Sequence, residues 1–154
     1  MEDLVTLKAI PLFTDLHKPE LERIATLVRH ESFPKGARIF AEGDRGDSMF
    51  FIESGRVRIS KEMPGMGEEA LAILGAGSVF GEMAVLDKSL RSATAVAHED
   101  VSLLVIDAEG FENLLFVDKE LAYYVLRATN RTLAGRLRDT TEKLMTVFLM
   151  AQFC

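Results

Sequence analysis

Cysteine is nearly missing from this chain: there is one among 154 residues, Cys154, at the last position. A lone thiol can make neither an internal disulfide nor a cysteine-rich metal site. Basic residues are also in short supply. The 18 Lys and Arg against 24 Asp and Glu leave a net charge of −6, with no basic tract, so the electrostatic footprint of nonspecific nucleic-acid binding is absent. Long apolar runs are lacking too; residues 121–126 and 147–151 fall far short of a membrane span. The opening Met1-Glu-Asp-Leu is acidic and has no charged-then-apolar signal layout. A cytoplasmic protein, away from membranes, is the expectation. His17, His30 and His98 stand apart without ligand spacing. Glu42, Asp44 and Asp47 lack the terminal glutamate of a calcium loop, so no metal is expected. Neither a Ser-His-Asp or Cys-His set nor a Walker lysine is recognisable, which argues against an enzyme.

What is present suits one globular domain. Its length allows a single core and is too short for two, and 48% hydrophobic with 27% charged residues is an ordinary soluble composition. Residues 1–28 carry helical patterns. Pro19 falls in the first turn of one helix, and Leu21, Ile24, Ala25 and Val28 form its apolar face. Over residues 29–106 the period becomes two, and about eight short strands alternate with glycine turns, which predicts an antiparallel jelly-roll barrel. Residues 107–152 return to helix: one over 107–116 with Asp107 as its cap, then a long one from Lys119 to about residue 152. In that helix positions 126, 130, 133, 137, 140, 144, 147 and 151 hold Leu, Asn, Leu, Leu, Thr, Leu, Val and Ala. This is a heptad seam with two polar interruptions, and it predicts pairing of two chains in a symmetric dimer. Arg127, Arg131, Arg136 and Arg138 lie mostly off the seam and are expected to form a solvated face.

Residues 80–94, inside the strand region, read Phe-Gly-Glu-Met-Ala-Val-Leu-Asp-Lys-Ser-Leu-Arg-Ser-Ala-Thr. Gly81 and Glu82 open a short helical turn, and Arg91 follows nine positions after Glu82. Helix-start amides attract an anion, a glycine allows close approach to the backbone, and an arginine can clamp a phosphate with two charge-assisted hydrogen bonds. A carboxylate repels phosphate but accepts a hydroxyl hydrogen, so Glu82 is suited to the sugar.

This stretch resembles the phosphate-binding cassette of the cyclic-nucleotide-binding domain, the family of bacterial cAMP receptor proteins, regulatory subunits of cAMP-dependent kinase and cyclic-nucleotide-gated channels. The resemblance extends over residues from about 10 to about 143. It implies that Gly81 and Glu82 hold the ribose 2′-hydroxyl, and that the backbone of Met83 and Ala84, with Arg91 and Ser92, holds the phosphate. Phe80 and Ala93 complete the expected site. On the long helix, the run from Arg136 to Lys143 is similar to the dimer helix of the bacterial receptor, which implies that Thr140 and Thr141 close over the base, one from each chain. The implied ligand is cAMP. A cGMP ligand stays open, because the Ser92 hydroxyl can meet a guanine amino group. Two features depart from the bacterial receptor. The segment between Glu82 and Arg91 is nearer in length to the kinase and channel members, and the sequence stops where transcription factors of the family continue into a winged helix-turn-helix. The expectation is a sensor that switches on binding ligand and signals through contacts with another protein. The alternatives are a structural dimer module that binds nothing, or the effector half of a larger regulator or channel.

Overall fold

The computed structural model describes residues 2–153; Cys154 lies outside them. Helix α1 (Glu2–Lys8) and a 3-10 turn (Pro11–Phe13) lead into α2 (Lys18–Ala25), which has proline in its first turn. Eight strands follow: β1 (Val28–Phe33), β2 (Arg38–Phe40), β3 (Ser48–Ser54), β4 (Val57–Met63), β5 (Gly67–Leu74), β6 (Val79–Phe80), β7 (Thr94–Ala97) and β8 (Val101–Asp107). A short helix, α3 (Glu82–Asp87), sits between β6 and β7. Two more, α4 (Ala108–Val117) and α5 (Lys119–Gln152), close the chain.

The strands form two antiparallel sheets, ordered β1-β8-β3-β6 and β2-β7-β4-β5. This is the jelly-roll arrangement that the glycine-punctuated pattern predicts, with one difference. The sheets are stacked layers, and the roll is not closed into a hydrogen-bonded barrel. The strands at two of the sheet edges, β2 and β6, span three and two residues, too few to bridge the layers.

Strands β3 and β8 are apolar on both faces because both faces are covered. Phe50, Ile52, Leu103 and Val105 pack between the sheets with Val57, Phe80 and Ala95. Met49, Phe51, Leu104 and Ile106 point the other way. They meet Leu7, Phe13, Leu16 and Ile24 of the N-terminal segment, Phe111 of α4, and Leu121 and Val125 of α5. The first turns of α5 are thus anchored in the core, and Asp118 caps them, its Oδ1 accepting from the Leu121 amide at 3.0 Å. From residue 136 onward every described side chain of α5 is exposed.

Asp107 occupies the N-cap position of α4 but makes no side-chain cap bond, contrary to the expectation from sequence. Its Oδ1 instead accepts from Arg29 Nη1 at 2.5 Å and Ser48 Oγ at 3.0 Å. A guanidinium partner outcompetes a backbone amide because charge-assisted bonds are the stronger.

Candidate functional site

Strand β6 ends at Phe80 and α3 begins at Glu82, so Gly81 makes the corner. Its φ of +77° is left-handed, a region open to glycine and costly for most other residues. Space makes a second demand: a Cβ here would sit 2.7 Å from Arg91 Nη1. Gly46 makes a tight approach to α3 itself, where a Cβ would lie 2.0 Å from the Ala84 Cβ. The loop before β3 is therefore pressed against α3. Backbone bonds from Gly43 N to Arg91 O (2.9 Å) and from Arg91 N to Asp44 O (2.7 Å) lace the same loop to the end of the cassette.

Arg91 is the centre of this arrangement. Although charged, it is only 4% exposed. Nη1 donates to Gly81 O at 2.7 Å and Nη2 to Ser48 O at 2.5 Å. The guanidinium carbon lies 4.2 Å from the centre of the Phe40 ring. Nε is buried without a hydrogen-bond partner among the described residues. The carboxylate of Asp47 is 4.0 Å away and its side chain is mostly in solvent. Burial lowers the Arg91 pKa from its ordinary value, while Asp47, Asp44 and Glu82 act in the opposite direction. An arginine remains charged through such a shift. The result is a desolvated cation held by neutral carbonyls, with its ion-pair partner Asp47 at the 4.0 Å limit and largely in solvent, a costly state that an incoming anion relieves.

Phe80, Gly81, Glu82, Met83, Ala84, Ser92 and Ala93 line one cavity of about 190 Å³. The structure thus brings seven of the ten expected residues to one place. Arg91 does not line the cavity but donates to the carbonyl of Gly81, which does. Thr140 and Thr141 are exposed on α5 and do not line the cavity; the Thr141 hydroxyl donates back to Leu137 O at 2.8 Å. Phe40, Ile59, Val79, Ser89 and Leu90 also line the space, and the sequence reading did not single them out. Arg136, expected on a solvated helix face, is only half exposed, and its Nη2 donates to Glu82 Oε1 at 2.6 Å. That bond carries the long helix to the cassette and satisfies a carboxylate that is 9% exposed. A wider groove of about 1100 Å³ opens on the other side of α3. Its ions largely answer one another, Arg29 with Asp107 and Lys88 with Glu112.

A jelly-roll layered with helices, a glycine corner opening a short helix, and a buried arginine with one solvated carboxylate at 4.0 Å are what a receptor domain for a small anionic ligand requires. The chain belongs to the cyclic nucleotide-binding domain family, whose profile matches residues 30–118. Over 109 residues, 71% of this chain, it is 38% identical to a cyclic AMP receptor protein of Thermus thermophilus and covers 50% of that protein. A cGMP-dependent protein kinase of Drosophila melanogaster is 36% identical over 112 residues, 71% of this chain and 12% of the kinase. The crystal structure of a cyclic nucleotide-binding domain from Methylobacillus flagellatus superposes with a TM-score of 0.78 at 28% identity, over 94% of this chain and 81% of that one. The chain spans half or less of the length of these two curated relatives.

Proposed function

We propose that this domain is a sensor of cAMP that binds the nucleotide in the β6–α3 cavity, pairs with a second copy through α5 and signals through protein contacts. The single observation that carries this reading is Arg91: a buried cation with an unpartnered Nε beside the Gly81–Glu82 corner. A phosphodiester monoanion matches it in charge and can accept from that N–H. Glu82 has its Oε1 engaged by Arg136 and keeps a second oxygen to accept from the ribose 2′-hydroxyl.

Size supports a lid. At about 190 Å³ the cavity is below the roughly 300 Å³ at which small-molecule pockets ordinarily begin. It accommodates sugar and phosphate while the base protrudes toward α5. Arg136 ties α5 to the cassette, and Thr140 is one helical turn beyond it, about 6 Å along the axis. Thr140 and Thr141, contributed by two paired chains, would then meet the purine. Ligand bound at Glu82 changes the partner set of Arg136, and through it the setting of α5. Such a shift is limited to the ligand's difference in affinity for the two arrangements. No catalytic step is part of this reading, and a protein with a single thiol is suited to the cytoplasm.

The nucleotide itself is the open choice, since relatives named for cAMP and for cGMP match to similar extents. Ser92 lines the cavity, and its hydroxyl favours neither purine by itself. Calorimetric titration of the protein with each nucleotide decides. Heat of binding with cAMP at lower concentration than with cGMP is the expected result; the reverse order makes this a cGMP sensor, and no heat from either overturns the reading.

A further inference from the structure

Strand alternation places Phe40 on the wrong side of its sheet. Residues 38 and 40 of a regular strand share a face, and Arg38 is exposed, opposite Val96. Yet Phe40 is opposite Ala95, which is fully buried, because the register shifts by one residue between Arg38 and Phe40. A bulge of this kind re-aims one side chain, and here it turns an aromatic ring inward onto Arg91. The ring centre is 4.2 Å from the guanidinium carbon, while Phe50 is a second ring at 5.7 Å. Phe40, Phe50 and Phe80 form a cluster with centroid separations of 5.0 to 5.9 Å, so the ring under Arg91 is itself braced.

We propose that Phe40 is a positioning residue for the phosphate clamp: its ring face carries the Arg91 guanidinium, fixes its plane, and leaves the Nε–H edge to receive the anion. Each terminal nitrogen gives one of its two N–H groups to a carbonyl, that of Gly81 or of Ser48, and neither carbonyl brings a full negative charge. The electron-rich face of an aromatic ring supplies partial negative potential without being an anion. It therefore supports the buried cation without adding a second carboxylate to the solvated Asp47, 4.0 Å away. A carboxylate in the same position would neutralise Arg91 and compete with phosphate.

The role of Phe40 rests on the cyclic nucleotide reading above, and the test separates the two. Binding of cAMP is measured for the parent protein, for Phe40→Leu, and for protein with pentafluorophenylalanine incorporated at position 40, which keeps ring shape and reverses the polarity of its face. Thermal unfolding is followed in parallel. Both changes should weaken cAMP by about 3- to 30-fold, the fluorinated protein doing so with its unfolding midpoint kept. A fluorinated protein that binds cAMP as tightly as the parent removes Phe40 from this role and leaves the sensor reading standing. A parent that binds no cyclic nucleotide overturns both.

Discussion

Arg91 and Glu82 divide the chemistry of the site between a buried cation with only the distant, solvated Asp47 for a carboxylate partner and an anion bonded to Arg136. Removing the cation should be the costlier change. Arg91→Ala is expected to weaken cyclic nucleotide binding by about 2–4 kcal/mol, because a desolvated phosphate loses its charge partner. Arg91→Lys should not restore affinity, since an ammonium cannot span both carbonyls as the planar fork does. Titration calorimetry on the two variants checks this; parental affinity in either would place the phosphate elsewhere. Glu82 calls for a different readout. Glu82→Ala should cost about 1.5–3 kcal/mol against cAMP and little against its 2′-deoxy analogue, which has no hydroxyl to offer. Equal losses for both ligands would mean that Glu82 acts through Arg136 alone. Residue types in the 80–94 stretch made this chemistry legible in the sequence, because a glycine corner, an acid and an arginine are local features. Arg136 was not legible. Its place off the heptad seam marks it as a solvated arginine, and only the tertiary approach of α5 to α3 gives it a buried carboxylate. Phe40 escaped for another reason: a one-residue bulge leaves no trace in an alternating pattern.

At the scale of elements, the joint between β8 and α4 is held by an ion pair that helix-capping rules do not foresee. Asp107 accepts from Arg29 on β1 and from Ser48 on β3, so one carboxylate joins three strands. The Arg29 guanidinium, assisted by Ser48, holds the Asp107 pKa below the usual carboxylate value, against the opposing effect of partial burial. A depressed pKa in the folded state means that the stabilisation is present above the unfolded value, about 3.9, and is lost as pH falls through the folded one. Asp107→Asn should therefore lower the urea midpoint at pH 7, and the gap to the parent should narrow as pH falls below the unfolded value. A gap that persists in acid would assign the effect to packing. The positions of β3 and β8 were readable because double-sided burial leaves uninterrupted apolar runs. That the roll stays open was not, since it depends on the short edge strands.

For the whole molecule the decisive feature is a helix that begins in the core and leaves it. Leu121 and Val125 are fully buried, whereas Leu137 and Leu144 are 68% and 55% exposed. A stripe of leucines in water is costly, and burying it in a second copy is what the seam spacing suits. Leu144→Glu should convert a dimer to monomers in sedimentation, because each pair loses two buried leucines, about 3–6 kcal/mol together. A parent protein that already sediments as a monomer at micromolar concentration would contradict the pairing. Thr140 and Thr141 belong to this scale: a single chain leaves them exposed, so the base contact proposed for them requires the proposed pairing.

The most direct measurement is a crystal structure of the protein grown with cAMP. The cyclic phosphate should lie against the β6–α3 corner, within hydrogen-bond distance of Arg91 Nε, with the ribose hydroxyl on Glu82. Density for the nucleotide elsewhere, with Arg91 still bonded to Gly81 and Ser48 and its Nε unpaired, would contradict it.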